Sequence, residues 1–157
     1  MSAVEDRLAE LGLTVPEVAM PVAAYLPAVR DGSRIFTSGQ LPIVSGALAA
    51  TGKVGDGPGL IPAADAKKLA QVCALNAMAA VKALVGDLDK VTRVVKVVGF
   101  VASDPSFTGQ PGVINGASEL FGAAFGDAGV HARSAVGVAV LPLDAPVEVE
   151  IIVSVQD

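Results

Sequence analysis

The chain has 157 residues, of which 52% are hydrophobic and only 4% aromatic, with a formal net charge of −5 and a pI near 4.7. That length argues for a single domain, 1–157, with a core built from Ala, Val, Leu and Ile. The acidic balance disfavours general nucleic-acid binding, and one Cys excludes an internal disulfide, in keeping with a reducing compartment.

Mean hydropathy is high, at +0.61. No run of ~20 apolar residues is free of charges and breakers, so no membrane span is expected. The hydropathy instead suggests apolar surface covered by other subunits. The acidic start, Met1 to Leu8, lacks a basic-then-apolar signal pattern, and a cytoplasmic location is the expectation.

Residues 2–11 have the pattern of a short amphipathic helix stopped by Gly12. Residues 13–22 contain Pro16 and Pro21 and are expected to be extended or irregular. Asp31-Gly32 between the β-prone runs 25–30 and 33–38 predicts a hairpin, with Pro27 at an edge position. Residues 39–63 are rich in Gly, Pro and small residues and are expected to form a long loop. Their Gly55-Asp56-Gly57-Pro58-Gly59 run fits neither a dinucleotide fingerprint nor a P-loop.

Residues 62–85 give the clearest helical pattern, with Leu69, Val72, Cys73, Asn76, Ala80 and Leu84 near one face. Cys73 is expected as a small core residue and Asn76 as a structural hydrogen-bonding group. A Val-rich strand over 91–103 ends at Asp104-Pro105. A second helix follows over 111–125, with Val113, Leu120, Phe121 and Phe125 as core candidates. Strands at 131–142 and 147–153 complete the order β-β-α-β-α-β-β, an α+β arrangement with two helices on one face of a sheet.

Alternation in these last strands separates charge from apolar bulk. In one, Val136, Val138 and Val140 share a face, while Arg133, Ala135, Gly137 and Ala139 share the other. In the next, Glu148 and Glu150 stand opposite Val147, Val149, Ile151 and Val153. A guanidinium beside small side chains, with a carboxylate on a neighbouring strand, suits a small anion. The same pattern fits an ordinary Arg133–Glu148 salt bridge. With one His and one Cys, no metal-ligand cluster or Ser-His-Asp elbow is expected, and His131 reads as a strand-end hydrogen-bonding residue.

Four blocks in order resemble the RidA/YjgF (L-PSP endoribonuclease-like) family, in a divergent branch. They are Ile35-Phe36-Thr37-Ser38-Gly39-Gln40-Leu41-Pro42, Leu75-Asn76-Ala77-Met78, Gly112-Val113-Ile114-Asn115 with Leu120-Phe121, and Ala132-Arg133-Ser134 through Leu141-Pro142 to Val147-Glu148-Val149-Glu150. Together they span 25–155. Departures include Ala23-Ala24 before Tyr25, Ala135 two residues after Arg133, a longer loop over 43–63 and the N-terminal extension, 1–22.

The resemblance implies a chorismate-mutase-like fold and a homotrimer with clefts between subunits. It implies a cofactor-free, metal-free deaminase that hydrolyses enamines and imines such as 2-aminoacrylate to a 2-keto acid and ammonia. By the same resemblance Arg133 holds the substrate carboxylate and Glu148 directs water. Tyr25, Ser38 and Asn115 match other pocket positions. Two alternatives stand beside it: a non-catalytic sensor binding small carboxylates, and an endoribonuclease. The acidic charge and the lack of a histidine pair argue against the latter.

Overall fold

A computed structural model describes residues 2–18 and 24–157. Among these are three α-helices: α1 (Ala3–Glu10), α2 (Ala63–Val85) and α3 (Gln110–Phe125). Strands β1 (Ala28–Asp31), β2 (Arg34–Thr37), β5 (Val91–Ala102), β6 (Ala132–Val138) and β7 (Val147–Val155) form one sheet in the order β1-β2-β7-β5-β6. The short strands β3 (Ile43–Val44) and β4 (Ala47–Leu48) form a separate hairpin. The chain is thus a mixed α+β fold, with the expected order of main elements.

The pleat explains the layering. Val147, Val149, Ile151, Val153 and Val155 alternate along β7 and are all buried, as are Val94, Val97 and Val101 of β5. They face α2 and α3. The small residues of α2, among them Ala66, Ala70, Ala74 and Ala77, let that helix approach the sheet and α3 closely. Gly116 of α3 lies close against the α2 backbone, since a Cβ there would lie 1.9 Å from the Lys67 carbonyl oxygen. Val113, Leu120, Phe121 and Phe125 are buried as expected.

The opposite sheet face carries no helix among the described residues. Val29, Phe36 and Val136 point there with Phe100, Ile152, Glu148 and Glu150, as the strand registers require. Val29, Phe36 and Val136 are 50%, 36% and 45% exposed.

Several expectations need correction. The loop over 39–63 contains the β3–β4 hairpin, whose turn residues Ser45 and Gly46 have φ of 50° and 84°. Positive φ at both positions matches a type I′ turn, a signal that Ser-Gly carries less plainly than Asn-Gly. The first hairpin turns at Gly32-Ser33, one residue later than expected, with Gly32 at φ 59°. Leu84 is exposed, because α2 turns its Ala66-Ala70-Ala77-Val81 stripe to the core. By length and apolar composition alone α2 is long enough to cross a bilayer, although Asp65, Lys67, Lys68 and Lys82 leave it no charge-free run of ~20 residues, as expected. Here 56% of its apolar window is buried by the fold, as in a core helix. The irregular reading of 13–22 holds for 13–18, and its remainder lies outside the described residues.

α1 is fastened by charge as well as by Val4 and Leu8. Ser2 and Glu5 form a capping box, and the Asp89 carboxylate accepts from the Ala3 and Val4 amides at 2.8 and 3.0 Å. Those two amides hold the Asp89 carboxyl below its ordinary pKa.

Candidate functional site

Arg133 lies on the edge strand β6, and its register partner on β5 is Val97, a core residue. Its side chain therefore points to the helix side of the sheet, toward α3. There Nη1 donates to Asn115 Oδ1 at 2.7 Å and to Ser118 Oγ at 3.2 Å, and Nη2 donates to the Pro111 carbonyl at 3.3 Å. Asn115 and Ser118 are three residues apart on α3 and so share one face of it. All three acceptors are neutral. Among the described residues no carboxylate pairs with Arg133, and its Nε takes no partner. Nε and the second hydrogen of Nη2 are two donors, the number that a bidentate carboxylate contact uses.

Glu148 sits elsewhere. Its register partner is Phe100, on the open face. β5 lies between β6 and β7, so the expected neighbouring-strand arrangement of Arg133 and Glu148 is not formed within one chain. Two strand spacings separate them by about 10 Å across the sheet, and three rungs add about 10 Å along it. With opposite faces added, a salt bridge between them in one chain is excluded.

What surrounds Glu148 is the end of β2. Phe36 pairs with Ile152 and Gln40 bridges to Val149, so Thr37, Ser38 and Gly39 stand opposite only Glu150 and Ile151. This is a β-bulge, closed by the Ile151 amide donating to Thr37 Oγ1 at 3.0 Å. The bulge lays Gly39 against Glu148: a Cβ on Gly39 would sit 1.8 Å from the carboxylate Oε1. Gly39 is thus required for space. Ser38 donates its hydroxyl to the Leu26 carbonyl at 2.6 Å and its amide to the Pro27 carbonyl at 2.8 Å. Those bonds tie the segment bearing Tyr25, itself 48% exposed, to the Glu148 side. Asn76 of α2 reinforces the same corner, donating to the Leu41 and Ile43 carbonyls at 2.9 and 3.0 Å.

Partial burial, and next the charge of Glu150, push the Glu148 carboxyl above its ordinary pKa. A half-buried carboxyl with raised basicity suits a water-directing base. Cys73 is fully buried, with its thiol pushed well up by desolvation, so it has the expected core role.

The five expected site residues therefore fall into two groups. Arg133 and Asn115 share the α3 edge. Glu148, Ser38 and the Tyr25 segment share the bulged end of β2. Sequence reading missed Ser118 and Gly39. Gly39 lies within a block whose motif it carries. Ser118 is flagged only by its helical spacing from Asn115.

A family model described as "YjgF/chorismate mutase-like, putative endoribonuclease" matches residues 5–154. Protein TCP17 of Trypanosoma cruzi is 41% identical over 98% of this chain and 95% of its own length. The crystal structure of Atu1372 from Agrobacterium tumefaciens, a protein of unknown function, is 47% identical over 98% of this chain and 93% of that one, with a TM-score of 0.90. E. coli TdcF with bound serine is 26% identical over 91% of this chain and 94% of that one, with a TM-score of 0.63. The match to the family model over nearly the whole length, with the fold described above, makes this chain a member of the YjgF/L-PSP endoribonuclease-like family.

Proposed function

We propose that the protein is a cofactor-free hydrolytic deaminase of small enamine or imine acids, of the 2-aminoacrylate type, releasing a 2-keto acid and ammonia. The observation that carries this reading is Arg133: a guanidinium held on three neutral acceptors, with donors left for a carboxylate. TdcF, whose structure contains serine, supports a small amino-acid-like ligand.

In this reading the cleft forms between copies of the chain in a homotrimer. One copy supplies Arg133 and Asn115, and the next supplies Tyr25, Ser38 and Glu148. Their separation within one chain supports such a division, as does the exposed apolar face bearing Phe36 and Val136. Arg133 anchors the carboxylate, and Glu148 takes a proton from the water that attacks the iminium carbon. Holding both partners in place can remove several kcal/mol of the barrier.

The test is turnover of imino acids generated in solution by an amino-acid oxidase. The reading requires faster release of ammonia and 2-keto acid with the protein than without it, and loss of that gain in Arg133→Ala. Equal rates with and without the wild-type protein, across several imino and enamine acids, contradict it.

A further inference from the structure

Away from Arg133, α2 and the β3–β4 hairpin border a cavity of about 620 Å³, with residues 14–18 along a third side. That volume lies within the roughly 300–1,000 Å³ of small-molecule sites. No described residue lining it takes part in the contacts of Arg133. Its walls are mostly apolar: Ile43 and Val44 come from the hairpin, Val72 and Leu75 from α2. Asn76 follows Val72 by one helical turn, so Val72, Leu75 and Asn76 share one face of α2.

Asn76 is the chemically informative residue. It is only 4% exposed, and its Nδ2 donates to the Leu41 and Ile43 carbonyls at 2.9 and 3.0 Å. A carbonyl only accepts, so this pair fixes the side-chain amide. Both Nδ2 hydrogens are committed, and Oδ1 points the other way. Oδ1 accepts from no group among the described residues. No sealed side-chain oxygen among them lacks a partner, so Oδ1 is not sealed in the core. It opens to the cavity that Asn76 lines. A near-buried acceptor without a donor is a seat for a ligand that brings one.

The charge of the walls narrows the ligand. Glu17 is the one charged residue lining the cavity among those described, and no cation pairs with it there. A carboxylate would meet Glu17 and an acceptor oxygen, with no cationic side chain to hold it. An ammonium N–H suits both.

We propose that this cavity binds a small organic amine. Its N–H donates to Asn76 Oδ1, its positive charge faces Glu17, and its hydrocarbon body lies on Ile43, Val44, Val72 and Leu75. One corner is preformed, since Asn76 holds the hairpin to α2 through the Ile43 carbonyl. The site stands apart from the deaminase reading, whose ligand is an anion on Arg133.

The test uses the full chain and two matched probes, 4-phenylbutylamine and 4-phenylbutyrate, followed by amide NMR. The amine should move the backbone amides of 43–46 and 72–76 and the Asn76 side-chain NH2 signals, saturating at millimolar concentration or below. The acid should leave them in place. Glu17 is exposed, so Glu17→Lys keeps the fold and should weaken the amine at least about twofold. Val72 is half-buried, and Val72→Phe fills the cavity from α2 and should abolish the amine-induced shifts. Amides unmoved by the amine overturn the site. Equal shifts from the acid overturn its charge preference. Undiminished amine binding in both variants places the amine elsewhere and overturns the proposal.

Discussion

Arg133 and Glu148 occupy opposite faces of one sheet, on strands that β5 separates. Each is positioned by its own set of contacts: Arg133 by Asn115, Ser118 and Pro111 of α3, Glu148 by the bulge at Gly39. Neither neutralises the other. The two halves can be perturbed separately, and the outcomes differ.

Arg133→Ala should weaken binding of pyruvate by roughly 10- to 100-fold, the worth of a charge-assisted bidentate contact. Arg133→Lys should recover little, since an ammonium cannot present two parallel N–H groups while also holding Asn115 and Ser118. Calorimetric titration of wild type and both variants checks this. Equal affinity in all three removes Arg133 as the anchor.

Gly39→Ala and Gly116→Ala should part company. At position 39 the new methyl meets the flexible Glu148 carboxylate, so the chain folds but Glu148 is displaced and turnover drops. At position 116 it meets the Lys67 backbone, so α2 and α3 must separate at a cost of about 1–3 kcal/mol or more. Thermal melts and turnover, measured on both, should show activity loss without destabilisation in the first and destabilisation in the second.

Glu148→Gln should stabilise the chain at neutral pH while removing turnover. Burial raises the Glu148 pKa, so the folded state binds its proton more tightly than the unfolded state does. Stability then falls as pH rises from about 4.3, the ordinary glutamate value, through the raised value. The glutamine variant lacks that slope, and the gap in Tm between the two proteins should open across this window. A constant gap from acid to neutral pH contradicts the assignment.

Asp89→Asn tests the fastening of α1. The lowered Asp89 pKa means its stabilisation is full above the ordinary carboxylate range and is lost as pH falls through the lowered value. The group is exposed, so the cost at neutral pH is a few tenths of a kcal/mol. Tm values of wild type and variant should differ slightly at pH 7 and converge in acid.

The main helices and strands were legible because their patterns are long and regular: Val alternation in β5 and β7, and the apolar repeat of α3. The short β3–β4 hairpin was not, because two-residue strands carry no period to read and the Ser45-Gly46 turn is uncommon chemistry. Strand alternation correctly put Arg133 with Ala135 and Gly137 on one face. It could not say which strand lies beside β6, because parallel pairing with β5 is set by the α3 crossover and leaves no local mark. That is why Arg133 and Glu148 looked like neighbours. Ser118 went unread for a related reason: its meaning comes from a strand that packs against it, not from its own helix.

The most direct test of a cleft shared between copies is to mix two inactive chains, Arg133→Ala and Glu148→Gln, after dissociating and reassembling them together. If each cleft takes Arg133 from one copy and Glu148 from the next, random closed assembly restores about a quarter of the clefts, and turnover returns to about a quarter of wild type. If the mixture stays as inactive as either variant alone, although mixed oligomers form by native mass spectrometry, the shared cleft is contradicted.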